Sequence, residues 1–522
     1  MSSRFYDAVV LGRSLGSLTV ATLLARRDFR VLLVGQGARP TTYRFDRRVL
    51  GRRAFTLLFG SSPVWRRILH ELAQSPQFRR RAVPQDPMFA VLAGRQRLEL
   101  PPDMELFTRE LEREFPEVRQ VVDELYTTIA SVNAAADSAF DRDGVWPPGK
   151  LWERFETGQA ASLLPFGNGE RSGELLTKFP SGHLYRDIAG IPALFAGHLA
   201  GTPEQLPALA FARLHGAWAR GISALAGGEP EFESFLTERL VAHGGVCALE
   251  RRAERLVIRH GSAVGVVLDG DDEMTGTTAV ITDQWGEALA ELSNGEGITR
   301  AAERDWPRLA PETGRFVTSA VVRRALLPEN LPPESFILPP GAPRDPRKPV
   351  VHLQWFDGKA LAEGAPVPEG EALLVAETLL PARGPLTLLE ARAAVVDTLR
   401  SALPFFDEHL VLLDSVHDGL PLLDANDGGR REIDRIHLEG AAAGAEPMQR
   451  QWTVDPPGYR HLAGEPLRGP IPGTFLVGSS VLPALGQEGE LLAAWSVARL
   501  VTRRDRTRQR MRQKLWSKIE TT

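Results

Sequence analysis

The stretch Val9-Val10-Leu11-Gly12-Arg13-Ser14-Leu15-Gly16-Ser17-Leu18 decides how the rest of the chain is read. Tyr6-Asp7-Ala8-Val9-Val10-Leu11 is apolar and partly β-branched, as a buried parallel strand should be. Residues 18–27 carry helical spacing, and Arg30-Val31-Leu32-Leu33-Val34 is a second strand. Together they predict a βαβ unit of right-handed connection. The turn has the shape of the dinucleotide fingerprint G-x-G-x-x-G. In that motif the first glycine permits the tight turn, the second lets a pyrophosphate approach the backbone, and the third lets helix pack on strand. Gly12 keeps the first task, while Ser14 stands at the second position and Ser17 at the third. The change at Ser17 is mild. Ser14 places a Cβ and a hydroxyl where phosphate oxygens belong, although the hydroxyl can donate to one. An acid should end the second strand to hold a ribose; the chain has Gly35 and then Gln36, whose amide is the remaining candidate there.

Working outward, 522 residues exceed one ordinary core and imply two or three lobes. With 43% hydrophobic and 25% charged residues, wholesale disorder is excluded. The formal net charge of −4 gives no global reason to expect nucleic acid. Cys247 is the one cysteine, so no intramolecular disulfide is possible and a reducing compartment is expected. No run approaches the apolar length of a membrane span, and a cytoplasmic location follows as the expectation. The charge is unevenly spread: 56 Arg stand against 6 Lys, and the first hundred residues hold eighteen Arg and six acids. That spread reads either as solvated faces or as a basic surface toward an anionic partner.

The pattern predicts mostly helix from residue 45 to 136, interrupted by a hairpin over 88–100, and further helix over 137–215 with a lid or loop at 165–173. A second α/β stretch follows Gly227-Gly228, with a helix over 232–243, strands over 246–250, 254–260 and 263–268, and a return strand at Thr278-Ala279-Val280-Ile281. The prolines and glycines of 327–349 predict a loop or edge excursion. Strands over 350–355 and 372–377 and a helix over 389–403 come next. The last unit is a strand over 474–477, a turn, and a helix over 490–502.

Four stretches in this order carry a family likeness. They are the opening turn with Ala21-Thr22-Leu23-Leu24-Ala25-Arg26 behind it, and Asp86-Pro87-Met88-Phe89 through Leu100-Pro101-Pro102-Asp103. The third runs from Gly227-Gly228 through Arg255-Leu256-Val257-Ile258 and Gly265-Val266-Val267-Leu268 to Ala279-Val280-Ile281. The fourth is Gly473-Thr474-Phe475-Leu476-Val477-Gly478 with Pro483, Gly486, Gly489 and Ala494. Over nearly its full length the chain resembles the phytoene desaturase-like branch of the FAD-dependent amine oxidase superfamily, which includes carotenoid desaturases, carotenoid isomerases and retinol saturases. The resemblance implies an α/β fold: a discontinuous Rossmann-like FAD/NAD(P)-binding domain with an inserted α+β substrate domain. It implies nucleotide-binding parts at 1–85, 216–300 and 466–502, substrate-domain parts at 86–215 and 301–465, and a tail at 503–522. It further implies FAD as cofactor, held by Gly12, Arg13, Ser14, Gly16, Ser17, Gln36, Arg39, Arg44, Ala253, Gly478, Ser479, Pro483, Gly486 and Gly489, with Ala253 against the adenine and the last helix facing the flavin ring.

The departures from the family pattern fall on the cofactor. Beside Ser14 and Gly35, Thr41 and Thr42 replace two glycines after Arg39-Pro40, Arg44 comes one position late, and Ser479 replaces an acid. Glu488 and Glu490 flank Gly489, where a helix N-terminus should stabilise negative charge on a reduced flavin. As solvent-facing caps they would do no harm. The activity implied is FAD-dependent desaturase, saturase or isomerase chemistry on an apolar isoprenoid; the alternative is a flavin-free, non-catalytic relative acting as a binding or assembly protein.

No catalytic residue is identified. The eleven His are scattered without metal-ligand spacing, Cys247 is read as core, and Trp218, Phe316 and Trp355 are candidate substrate-lining aromatics. In the tail, Met511, Leu515, Trp516 and Ile519 form an apolar stripe between rows of Arg and Lys. This basic amphipathic helix suits either an anionic membrane surface on the cytoplasmic side or packing on protein.

Overall fold

The computed structural model describes residues 5–166, 169–343, 345–358, 361, 366–426 and 429–504. The basic stripe of the tail, which begins beyond Arg504, lies outside the described residues, as do residues 167 and 168 of the expected lid.

The opening unit forms as its pattern dictates. Ala8–Leu11 is a fully buried strand, Leu15–Arg26 is the opening helix, and Val31–Val34 is the second strand, paired in parallel with the first from Ala8↔Val31 to Leu11↔Val34. These two are the middle of a five-stranded, all-parallel sheet. Its spatial order is Val246–Ala248, Val31–Val34, Ala8–Leu11, Val280–Thr282 and Thr474–Leu476. The strands come from three distant parts of the chain, so the nucleotide-binding type of domain is discontinuous. Their apolar, unalternating sequences match burial on both faces. The helices Gly228–Ala242 and Gly486–Arg504 pack on the opening helix. The order of strands reverses direction between Ala8–Leu11 and Val280–Thr282. In an open α/β sheet this reversal, at the carboxyl ends of the strands, is where ligands bind.

The inserted part is built on a ten-stranded mixed sheet. Its spine is a 16-residue strand, Arg308–Arg323, whose length lets it serve two partners on one side: Gln449–Asp455 pairs with its first half and Leu410–Asp414 with its second. Along its other side lies Glu371–Pro381, followed by Val351–Phe356 and Glu334–Leu338. The hairpin expected over 88–100 is present as Phe89–Ala93 and Gln96–Leu100, and it extends this sheet through a parallel pairing with Glu334–Leu338. One face of the sheet is covered by the helix Leu388–Ala402; against the other the hairpin Thr42–Phe45 and Arg48–Gly51 packs on Val317, Val321, Leu373 and Val375.

Two expectations are corrected. Residues 327–349 are not only loop: Glu334–Leu338 is a fully buried interior strand, bracketed by Pro332-Pro333 and Pro339-Pro340, which end the strand without sitting in its ladder. Of the three candidate aromatics, only Trp218 faces the interior hollow described below. Phe316 packs under the helix Leu388–Ala402, and Trp355 lies in that same outer layer with its indole donating to the Pro332 carbonyl. Cys247 sits half-buried on the edge strand of the parallel sheet, paired with Leu33, and burial raises its thiol pKa.

Candidate functional site

The site is best built from the N-terminus of the opening helix, because the fold aims its first backbone N–H groups at the strand reversal. Gly12 has φ +129°, open to glycine alone, and a Cβ there would overlap the carboxylate of Asp283. Asp283 follows directly on the strand Val280–Thr282. Its Oδ2 accepts from the backbone N–H groups of Arg13 at 3.0 Å and Ser14 at 2.8 Å. One turn on, Oε2 of Glu490 accepts from the Gly16 N–H at 3.1 Å, and the Ser14 hydroxyl accepts from the Ser17 N–H at 3.2 Å. The donors that should cradle a pyrophosphate are therefore met by two carboxylates and a hydroxyl of the protein. Burial pushes the Asp283 carboxyl above the usual range, with Glu490 adding to the rise, against the lowering effect of the Ser14 hydrogen bonds.

The cations nearby are engaged as well. Arg13 turns back to Glu233, Arg52 makes a two-pronged pair with Glu446 that Arg39 also approaches at 3.7 Å, and Arg53 pairs with Glu229. Arg44 lies on a hairpin strand joined to the Glu439 backbone and does not line the hollow beside the helix. At the end of the second strand Gln36 adopts φ +55° and its amide closes on Ala253 from both sides: Nε2 donates to the Ala253 carbonyl at 3.0 Å, and Oε1 accepts from the Ala253 N–H at 2.8 Å. A Cβ on Gly35 would overlap the Leu249 carbonyl, so that neighbour needs glycine for packing and not for a ribose.

The expected solvent-facing caps of the closing helix are also corrected. Glu488 and Glu490 are only 7% and 6% exposed. Glu488 forms a two-pronged pair with Arg213 at 2.5 and 2.6 Å and accepts from the Ser62 hydroxyl. Burial raises its carboxyl, but the Arg213 charge and hydrogen bonds outweigh that and leave it below the usual range. Arg213 is in turn held by Asn133 and Asp137. Of the other expected residues in this segment, Gly478 abuts the Asp283 carbonyl, Ser479 lines the interior hollow, the Pro483 carbonyl accepts from the His198 N–H, Gly486 abuts the Ala196 carbonyl, and Gly489 abuts the Leu482 carbonyl.

Two hollows remain here. One of about 250 Å³ lies beside Arg13, Arg39, Thr41, Arg52, Asp283 and Glu446. The other, about 150 Å³, is lined by Trp218, His198, Arg315, His352, Glu377 and Glu490. Each is smaller than the roughly 300–1,000 Å³ of sites that take drug-sized ligands. In the second, His352 meets Glu334 at 2.7 Å and Arg315 meets Glu377 at 2.5 Å, while His198 stands 3.4 Å from Glu490 without a hydrogen bond from either ring nitrogen. None of Asp283, Arg213, His198 or the Arg315–Glu377 pair was singled out in the sequence. Asp283 alone had a readable signal, as the first residue past a strand at the reversal.

A third cavity, of about 620 Å³, differs in kind. It lies between the helix Leu184–Ala196 and the ends of the strands Arg308–Arg323 and Glu371–Pro381, and it is lined by Ile191, Leu194, Phe195, Val350, Leu379 and Leu386, with Arg186, Glu204, Asp345 and Lys348 among its polar lining. Phe195 also lines the 150 Å³ hollow, and Arg315 donates to the Phe195 and Gly197 carbonyls, so this residue and this ion pair stand between the two. Among the described residues no group of three or more His, Cys, Asp or Glu is placed to hold a metal ion, and no helix is long and apolar enough to cross a membrane.

No family model and no curated protein matches the chain. Solved structures do. An oxidoreductase from Methanosarcina mazei is 16% identical with TM-score 0.58, the match covering 94% of this chain and 99% of that one. A putrescine oxidase variant from a redesign of cofactor binding is 15% identical with TM-score 0.58, covering 97% and 100%. A RAB GDI from Plasmodium falciparum is 10% identical with TM-score 0.50, covering 79% and 90%. The chain shares the fold of these structures, a mixed α/β architecture with a discontinuous parallel-sheet domain and an inserted domain. At these identities the likeness is one of fold, and function has to be argued from the site. The residues at the reversal do not fit FAD as they stand. A pyrophosphate there would lie against Asp283 and Glu490, with its backbone donors already bonded and the neighbouring arginines paired.

Proposed function

We propose that this protein is a flavin-independent member of its fold that binds an apolar, isoprenoid-type molecule. The observation that carries the reading is the 620 Å³ cavity against the inserted sheet, where Ile191, Leu194, Phe195, Val350, Leu379 and Leu386 form an apolar wall beside prolines and a polar rim. Its size suits a small organic ligand, and burying apolar surface against such a lining contributes about 25 cal/mol per Å². The likeness to oxidoreductases supports the fold and leaves the redox step without a seat, since Asp283 and Glu490 occupy the donors a flavin nucleotide needs.

The test has two parts on the full-length protein. Purified protein is expected to be colourless, with no flavin absorbance after heat release. Titration with retinol, used as a fluorescent isoprenoid, is expected to give saturable emission that is weakened in Leu386→Trp, which adds an indole's bulk to the cavity wall. A yellow protein with stoichiometric flavin, or retinol binding indifferent to Leu386→Trp, would overturn the reading.

A further inference from the structure

We propose that the nucleotide seat of this fold is occupied, in this chain, by the protein's own side chains, which reproduce the hydrogen-bonding groups of a dinucleotide. The inference rests on the flavin-independent reading and says how that state is held. It starts from topology. Asp283 is the first residue beyond the strand Val280–Thr282, beside the carboxyl end of Ala8–Leu11, so it stands at the strand reversal where a phosphate would arrive. A carboxylate and a phosphate share the chemistry that matters there: negative charge and several acceptor oxygens aimed at helix N–H groups. The space left by the missing Cβ of Gly12 admits the Asp283 carboxylate, which packs directly against the turn. Its Oδ2 bonds two backbone N–H groups, and Glu490 takes a third at Gly16.

The adenosine end is treated the same way. A carboxamide presents an N–H donor beside an oxygen acceptor, and an adenine edge presents an amino donor beside a ring-nitrogen acceptor. Gln36 stands at the end of the second strand, where a ribose-binding acid is expected. It directs that donor–acceptor pair onto the backbone N–H and carbonyl of Ala253, which lies on the strand Ala253–Arg259. Both bonds are of ordinary length. Gln36 is held in a left-handed conformation to make them, which a side chain adopts only where its contacts favour it. Two ends of one ligand's path are thus closed independently, by residues 247 positions apart in the chain. Arg13, Arg52 and Arg53, directed to Glu233, Glu446 and Glu229, complete the neutralisation that a bound pyrophosphate would otherwise need.

The experiment titrates full-length wild type, Asp283→Ala, Gln36→Ala and the double variant with ADP and with adenosine by calorimetry, each variant first shown to melt cooperatively. Wild type is expected to bind neither. Asp283→Ala should gain ADP binding, and the double variant should bind ADP roughly tenfold tighter again, as one more freed donor–acceptor pair adds its contribution. Should Asp283→Ala fail to melt as a folded protein, Gln36→Ala decides: its position is half-exposed, and it should bind adenosine, which carries no charge to meet Asp283. Folded variants that gain neither ligand would overturn the inference and leave the flavin-independent reading in place. Wild type that binds ADP as tightly as its variants also overturns it. Wild type purified with flavin overturns both together.

Discussion

The seat at the opening helix and the cavity beneath the helix Leu184–Ala196 lie on either side of Phe195 and the Arg315–Glu377 pair, yet they are built on opposite terms. In the seat the helix donors and the buried carboxylates find their partners within the protein. Asp283, Glu490 and Ser14 meet the helix donors, Gln36 meets Ala253, and Glu488 is clasped by Arg213 and Ser62. In the cavity, Ile191, Leu194, Val350, Leu379 and Leu386 face space that no side chain of the described residues fills. A site that waits for a ligand leaves donors or apolar surface unanswered; one that has given up its ligand shows completed contacts in the same place. By that measure the cavity, and not the seat, is the place we propose for a ligand.

The largest effect is expected at Arg213. If the seat wall is a closed polar network, Arg213→Leu should cost about 3–5 kcal/mol, because it strands the buried Glu488 carboxylate. The double change with Glu488→Leu should recover much of that loss, since it removes both charges. Urea denaturation at neutral pH measures both, and a single variant within about 0.5 kcal/mol of wild type would show the network to be slack. Next in size is a pair of enlargements. Gly16→Ala would drive a methyl into the Val477 carbonyl and should cost about 1–3 kcal/mol, whereas Leu386→Trp, placing more volume into the cavity, should stay within about 1 kcal/mol. Equal costs would mean that the two regions are equally full.

How much of this was legible follows from the range over which each signal acts. The opening βαβ unit, the hairpin over 88–100 and the return strand at Val280–Thr282 were readable because apolar periodicity and turn glycines are local. The strand Glu334–Leu338 was not, because the prolines that bracket it read as loop. The departures at Ser14, Gly35, Glu488 and Glu490 marked the right region. Their meaning was hidden, because it depends on partners such as Asp283 and Arg213 that lie 269 and 275 residues away in sequence. Glu at the start of a helix reads as a solvent-facing cap; only the approach of Ala208–Ala219 shows that Glu488 faces an arginine and not water. The 620 Å³ cavity has no motif at all, since it is made where strand ends, a helix and a proline-rich loop converge.

The smallest expected effect concerns the sign of a titration, and it separates the two buried carboxylates of the seat from each other. Glu488 sits below the usual carboxylate range in the folded protein, so its stabilisation is complete above that range and is lost as pH falls through its lowered value. Asp283 is shifted the other way, by burial first and by Glu490 in addition. Folding therefore favours its protonated form, and the stability it contributes is present in acid and is lost as pH rises from the usual carboxylate value through the raised one. Asp283→Asn keeps an acceptor toward the Arg13 and Ser14 N–H groups and removes the charge. Relative to wild type it should gain stability across that window and hold the gain at neutral pH, while the two proteins converge in acid; thermal melts in a pH series read this directly. A variant that instead loses stability with rising pH over the same window would mean that the helix donors hold Asp283 as an anion at no cost. The seat would then be a true anion site that happens to be filled from within, and a phosphate competing for it would have to displace a charge and not merely a side chain.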